Sequence, residues 1–138
     1  KAEMAVYTAD AVSLLVYLVD ARRERANRVV AAAEAGETVL QAPSTALAEV
    51  LYAVSHDKNV RGIDLSGTPK EAKQALIENG PITVAPVGDE ELAEYARIVD
   101  EFTIHDALIV ASHRARQTDG IITTDGSIGD AGDDIVWE

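Results

Sequence analysis

The sequence predicts a single α/β domain spanning residues 1–138, with a central parallel β-sheet covered by helices. Short β-branched segments alternate with longer helical patterns, which is the order of elements in a parallel sheet with helices on both faces. Apolar residues make up 47% of the chain, enough for a packed core. No repeat, low-complexity segment or linker divides the chain, so we expect one domain.

The first half of the chain contains two predicted strands and three predicted helices. "MAVYTA" (4–9) is a short strand, and the nearly all-apolar "VSLLVYLVDA" (12–21) is a largely buried helix. The next helix runs from residue 21 to a glycine stop at Gly36. "TVLQA" (38–42) is a strand, and Pro43 suits the first turn of a helix that ends near residue 57.

The second half begins with a predicted loop over residues 58–68. A helix bracketed by Pro69 and Gly80 follows, and then come a strand, two helices and two strands. The ranges of these elements are 69–80, 82–87, 89–102, 103–117, 120–123 and 135–138.

The chain is strongly acidic. Asp and Glu number 24 against 12 Lys and Arg, which gives a formal net charge of −12 at pH 7. Scattered acid, few Lys and much Ala indicate adaptation to high salt, where electrostatic reach shortens to ~3 Å at about 1 M. A halophilic archaeon is therefore the expected source. A protein that must avoid nucleic acid would have the same charge balance, and composition leans only slightly against RNA or DNA.

The length of the apolar runs and the cysteine content indicate the cellular location expected for the protein. The longest apolar run, "LLVYLV", is far shorter than the ~18 residues that cross a membrane, and no secretory leader is expected. The absence of cysteine excludes disulfides and thiolate metal sites and fits a cytoplasmic protein. Met4 is the candidate natural start, in which case residues 1–3 are a remnant of cloning.

Four carboxylates are placed where open parallel sheets form sites, beyond the carboxyl ends of the strands. Asp10 follows the first strand, and Asp125 follows the strand 120–123. Asp106 opens the helix that leads into that strand, and Glu49 lies at the margin of an apolar helix face. Each residue alone is explained as a cap, a turn residue or a solvated side chain.

Taken together, these carboxylates predict a metal site. Their mutual repulsion in a nearly dry cleft would be severe, and a bound divalent ion relieves it. Oxygen ligands without Cys or a well-spaced His pair favour Mg²⁺ or Mn²⁺ over Zn²⁺. Such ions hold phosphates and activate water for attack.

Four motifs resemble those of PIN-domain ribonucleases of the VapC toxin type. They are "VYTADAVSLLVYL" with Asp10, "PSTALAEVLYAV" with Glu49, "IHDALIVASHRA" with Asp106, and "IITTDGSI" with Thr123 and Asp125. The match covers nearly the whole chain, and the last two motifs in tandem are fairly specific. The resemblance implies a three-layer α/β/α PIN-like fold. It makes the four carboxylates ligands of Mg²⁺ or Mn²⁺ and adds Thr123 to the catalytic set.

The resemblance further implies hydrolytic cleavage of single-stranded RNA, a homodimer and a small inhibitory antitoxin as partner. One position departs from the pattern. PIN domains usually carry Ser, Thr or Asn two residues after the first Asp, whereas this chain has Val12, and Ser13 is expected to point elsewhere on the helix. This departure keeps an alternative open: a PIN-like RNA-binding or scaffolding domain with weak or no catalysis.

Two arginine groups offer local positive charge for RNA. On the Asp106 helix, His113 shares the face of Asp106, and Arg114 lies nearer the edge of that face. The predicted RNA-binding residues are His113, Arg114 and Arg116. The other group consists of Arg22, Arg23, Arg25 and Arg28. The alternative interpretation of each group is an ordinary solvated helix face.

Other site classes lack a required feature. A phosphate-accepting signalling domain needs a late lysine, and the last one is Lys73; a DxD phosphatase and a GxGxxG dinucleotide-binding module lack their motifs. We interpret His56 as structural and His105 as a surface or capping residue. The six aromatic residues predict no interleaved platform for stacking single strands.

Overall fold

The protein is described by a computed structural model over residues 4–19, 24–56, 59–60, 63–65, 67–123, 128 and 135. The described strands are β1 (Ala5–Ala9), β2 (Thr38–Pro43), β3 (Asn59–Val60), β4 (Ile63–Asp64), β5 (Ile82–Ala85) and β6 (Gly120–Ile122). The described helices are α1 (Ala11–Leu18), α2 (Glu24–Glu34), α3 (Ser44–Ser55), α4 (Pro69–Lys73), α5 (Asp89–Ile98) and α6 (Ile104–Arg116). A π-helical turn, Gln74–Glu78, continues α4.

The main sheet has the strand order β5-β2-β1-β6, and every neighbouring pair is parallel. The predicted central parallel sheet is therefore confirmed. Strand β1 lies between β2 and β6, with Thr8 opposite both Gln41 and Ile121. Ile135 forms a parallel bridge with Ile121 on the far side of β6, which agrees with the predicted last strand at its first residue. The rest of that strand lies outside the described residues.

Helices cover both faces of the sheet. Consecutive residues of a strand point to opposite faces of the sheet, so Ile121 and Ile122 pack against different helix layers. Ile122 packs into a core cluster with Leu14 of α1 and Val30 of α2. Ile121 packs into a second cluster with residues of α5 and α6, which include Ile98, Ile109 and Val110. This is the three-layer α/β/α arrangement that the sequence predicts.

Two segments differ from the sequence prediction. Residues 58–68 were expected to be a loop, but β3 and β4 form an antiparallel pair there. Residues 69–80 were expected to be one helix, but the hydrogen bonding widens after Lys73, and the Asn79 N–H donates to the Gln74 carbonyl at 2.7 Å. Gly80 can lie close to the end of this turn because glycine has no side chain. A Cβ at this position would overlap backbone atoms of Ala75 and Leu76.

Helix ends follow the predicted signals. Gly36 adopts a left-handed φ of 79°, and the N–H groups of Gly36 and Glu37 donate to the Ala33 and Ala32 carbonyls, which completes a Schellman stop after α2.

Within the described part of the chain, no helix is long and apolar enough to cross a membrane.

Candidate active site

Asp10 lies at the carboxyl end of β1 and is the N-cap of α1. Its side chain is only 9% exposed, and Oδ1 accepts the Ser13 backbone N–H at 2.8 Å and the Ser13 hydroxyl at 2.6 Å. The Asp10 N–H donates to the Ile122 carbonyl at 3.3 Å, which ties this corner to the end of β6. Asp10 is thus a buried, oriented carboxylate at the junction of β1 and β6.

Ser13 corrects the expectation that its side chain points elsewhere on the helix. The Ser13 hydroxyl lies 2.6 Å from Asp10 Oδ1 and 2.6 Å from the Ile122 carbonyl oxygen. Its single hydrogen is therefore shared between two acceptors. An N-cap side chain folds back over the first turn to the third helical residue, which here is Ser13. Val12 instead points outward and is 48% exposed.

Glu49 and the start of α6 are joined by a side-chain contact. His105 Nδ1 lies 3.0 Å from Glu49 Oε1, and the two side chains are 60% and 38% exposed. His105 is a surface residue, as interpreted from the sequence, and the contact with Glu49 adds a partner that the sequence did not indicate. This contact brings the first turn of α6 against α3, and Asp106 is the next residue along that turn.

Asp106 is half-buried in the first turn of α6. Its backbone N–H donates to the hydroxyl of the N-cap Thr103 at 3.3 Å. The helix dipole favours a negative side chain at this position. Asp106 is thereby held near the Glu49–His105 pair by its position in the helix.

The fourth motif is described only in part. Thr123 directly follows β6 and is completely buried, next in the chain to Ile122, whose carbonyl accepts from Asp10 and Ser13. Asp125 lies outside the described residues. Within the described ranges, no group of three or more His, Cys, Asp or Glu side chains is gathered closely enough to hold a metal ion.

A groove that includes Glu49 in its lining runs between α1 and α3. We call it the α1–α3 groove; it has a volume of about 610 Å³ and is open to solvent. Its lining residues are Ala11, Val12, Leu15, Thr45, Ala48, Glu49, Tyr52, Ala53 and His105. A ligand in this groove would contact Glu49 and His105 directly.

The predicted RNA-binding residues lie at the other end of α6. Ten residues separate Asp106 from Arg116, which corresponds to about 15 Å along a helix axis. Arg116 donates to the Pro86 carbonyl at 2.9 Å, and its Nε lies 3.1 Å from Glu91 Oε2 without the geometry of a hydrogen bond. Hydrogen bonding by the Gly88 N–H, and less strongly the charge of Arg116, hold the pKa of Glu91 below its usual value despite burial.

His113 is likewise engaged inside the protein. Its Nδ1 lies 2.6 Å from the Thr118 hydroxyl, which lies 2.9 Å from the hydroxyl of Thr8 in β1. The part of the α6 C-terminal end formed by His113 and Arg116 therefore contacts neighbouring elements of the fold. Arg114 is half-buried on the same turn. Of the second arginine group, Arg28 lies on α2, whereas Arg22, Arg23 and the side chain of Arg25 lie outside the described residues.

Comparison with known proteins identifies the fold. No protein-family model and no curated protein sequence matches the chain. Among solved structures, VapBC2 from Rickettsia felis bound to a DNA fragment from its promoter matches with a TM-score of 0.68 and 17% identity. The alignment covers 96% of this chain and 99% of that one.

A second solved structure leads to the same result. VapC20 of Mycobacterium tuberculosis, a toxin that cleaves the sarcin–ricin loop, matches with a TM-score of 0.60 and 18% identity, over 94% of this chain and 96% of the other. At these identities the comparison concerns the fold alone. The chain has the PIN-like α/β/α fold of the VapC toxins.

Proposed function

We propose that this chain, which has the PIN-like fold of VapC toxins, is a metal-dependent endoribonuclease that cleaves single-stranded RNA. The contact that carries the proposal is the 3.0 Å pair of Glu49 and His105, because it joins the Asp106 turn to α3 beside the α1–α3 groove. Asp10 is the N-cap of α1, whose first residues, Ala11 and Val12, line the same groove. The likeness to VapC20, a toxin that cleaves the sarcin–ricin loop, supports RNA as the substrate.

The donor set fits Mg²⁺ or Mn²⁺ by its chemistry. Asp10, Glu49 and Asp106 offer hard oxygen ligands, and the chain contains no cysteine. We assign the fourth ligand to Asp125. An ion bound by these residues would lower the pKa of a coordinated water towards neutrality.

The protein's own groups have separate tasks in this proposal. Ser13 orients the Asp10 carboxylate, and His105 orients Glu49 through the contact at 3.0 Å. Glu49 accepts the proton of the attacking water, since it is the partly exposed carboxylate that lines the groove. Thr123 hydrogen-bonds a carboxylate or a water at the end of β6, and His113, Arg114 and Arg116 contact the RNA backbone further along α6.

The biological setting follows from the same likeness. We propose that the chain is the toxin of a VapBC-type pair, that it acts in the cytoplasm as a homodimer, and that a small antitoxin inhibits it. One solved structure with a similar fold is VapBC2 bound to a DNA fragment from its promoter, which supports an antitoxin partner of this kind. The RNA meets an acidic surface, so contacts that do not depend on net charge gain importance.

Cleavage by the Asp10→Asn variant tests the proposed activity. Asparagine keeps an oxygen that accepts the Ser13 N–H, so we expect the fold to survive while the carboxylate ligand is lost. Loss of groups that merely support a metal ligand costs 10–100-fold, so loss of the ligand itself should reduce cleavage of a labelled single-stranded RNA by about 100-fold or more. Wild-type protein without divalent ion is the matched control. Equal cleavage by the wild type and the Asp10→Asn variant, each with the divalent ion present, would overturn the proposal.

A non-catalytic PIN-like RNA-binding or scaffolding domain is the second candidate. The feature that favours it is Val12, which stands where PIN domains usually carry Ser, Thr or Asn. Melting in Mn²⁺ separates the two, because an ion that binds only the folded state stabilises it by ~2.7 kcal/mol at 100 times its dissociation constant. A melting temperature that rises with Mn²⁺ in the wild type and not in Asp10→Asn supports the nuclease. No rise at any salt concentration supports the second candidate.

A further inference from the structure

An exposed aromatic pair lies on α3 beside the candidate active site. The rings of Tyr52 and His56 are stacked, with centroids 4.0 Å apart and planes inclined by 27°. The stack has a fixed geometry because His56 Nδ1 lies 2.9 Å from the Tyr52 carbonyl oxygen. Tyr52 nevertheless remains 58% exposed. Because His56 covers one face of the Tyr52 ring, a planar ligand could stack only on the opposite face.

This aromatic pair continues the surface that carries Glu49. Tyr52 follows Glu49 by three residues on the same helix, a spacing that places side chains about 5–6 Å apart at Cβ. Both residues line the α1–α3 groove, and Val12, 48% exposed, lines it as well. Three alanines in the lining leave room for a flat ligand above the helix surface: Ala11, Ala48 and Ala53.

The charge of the protein limits what can bind here. With a net charge of −12, the chain attracts a polyphosphate backbone poorly. Arg116, one proposed phosphate contact, is paired with Glu91, which offsets its charge. A nucleobase is neutral and planar, and its stacking on an aromatic side chain tolerates any base. Of the parts of an RNA strand, the base is the one that this surface suits.

We propose that the outer face of Tyr52 is a stacking subsite for an unpaired nucleobase of single-stranded RNA, next to the nucleotide whose phosphate reaches Glu49. The inference rests on the proposed ribonuclease function and adds to it a binding contact that does not depend on charge. His56 stacks on the other face of the ring. The sequence shows this pair only as an aromatic residue and a histidine four apart on a helix.

The test measures binding separately from cleavage. In an Asp10→Asn background, a fluorescent single-stranded oligoribonucleotide is titrated by anisotropy, alongside the same oligomer with abasic positions. We expect Tyr52→Ala to weaken binding of the intact oligomer about 5- to 150-fold, the range for one stacked base, and to affect the abasic oligomer little. Tyr52→Phe and Tyr52→Trp should bind like the parent, and the Trp variant should be quenched by the intact oligomer.

The control variant is Leu92→Ala, which removes a similarly exposed apolar side chain from α5. It should leave binding unchanged. Equal binding by Tyr52→Ala and the parent overturns the inference, and so does an equal loss for both oligomers, which indicates a structural role. If Tyr52→Ala alters only self-association or binding of a partner protein, the surface docks protein and the inference is wrong. RNA cleavage by the wild type in any of these cases leaves the proposed function standing, whereas absence of both cleavage and binding removes the function itself.

Discussion

The Asp10 carboxylate combines a structural and a proposed catalytic task in one side chain. Its Oδ1 caps α1 through the Ser13 N–H and accepts the Ser13 hydroxyl, which also contacts the Ile122 carbonyl. The hydroxyl therefore links the first strand, the first helix and the last described strand. Ser13 directly follows position 12, at which PIN domains usually have a hydroxyl or an amide side chain.

Ser13→Ala tests whether this hydroxyl orients Asp10. Removing it leaves two buried acceptors with one partner fewer, so we expect a loss of about 1 kcal/mol in the free energy of unfolding. Cleavage should fall several-fold because the Asp10 carboxylate gains freedom. Urea denaturation and the RNA cleavage rate are the measurements.

Val12→Ser is the matched control for this experiment. Val12 is 48% exposed, and changes at such positions usually stay within about 0.5 kcal/mol. The opposite pattern, with Ser13→Ala silent and Val12→Ser more active, would return the hydroxyl role to position 12.

Residue positions in the sequence predicted the locations of the described carboxylates but not their contacts. Asp10 was expected directly after a strand, and it lies there. Ser13 was expected to point elsewhere on the helix, but the N-cap side chain of Asp10 reaches back over the first turn and meets it. The contact of His105 with Glu49 was not predicted because the two residues are 56 positions apart in the chain.

At the scale of elements, α5 and α6 are joined at one end by Glu91 and Arg116. Glu91 is 7% exposed and accepts the Gly88 N–H at 2.8 Å, while Arg116 reaches both Glu91 and the Pro86 carbonyl. This contact fixes how α6 lies against α5. The start of α6 at the active site depends on the same helix being held in place.

Glu91→Gln should make stability less dependent on pH. The pKa of Glu91 in the folded protein lies below its usual value of 4.5, so its stabilisation is complete above that value and is lost as the pH falls through the lowered pKa. We expect the variant to be less stable by about 1–3 kcal/mol at pH 7 and to approach the wild type in acid.

Glu94→Gln on the same helix provides the control, because its pair with Arg97 is largely exposed on the arginine side. Such a pair contributes about 0–1 kcal/mol. Thermal unfolding of the three proteins between pH 3 and pH 7 gives the comparison. A difference between Glu91→Gln and the wild type that stays constant with pH would contradict the assignment.

The elements that sequence patterns predicted are those with enough residues to show a period. The strands of the main sheet and the long helices were expected in the right order. The strands β3 and β4 have two residues each, too few for any alternation to be visible. The π-helical turn escaped prediction because "QALIE" has ordinary helix propensities, and its wider hydrogen bonding is set by the close packing at Gly80.

At the scale of the whole molecule, charge is the dominant property. A net charge of −12 on 138 residues favours expansion, and salt weakens that repulsion. We expect the melting temperature to rise between 0.1 M and 2 M KCl, by roughly 2–8 °C for each kcal/mol gained. Scanning calorimetry in KCl, with sucrose as an uncharged control, measures the effect. A flat or falling melting temperature in KCl would show that repulsion does not limit stability.

The position of β1 between β2 and β6 has a consequence for the making of the protein. The Val6 N–H donates to the side chain of Asp119, 113 residues later, so the central strand lacks one neighbour until β6 has been synthesised. At about 5–20 residues per second, a ribosome needs roughly 6–23 s to add that interval. Asp10 and Thr123 are likewise 113 positions apart, so they leave the ribosome at different times. The nascent chain therefore carries the proposed nuclease site in separate pieces, and the translation machinery is not exposed to the assembled site until β6 has been synthesised.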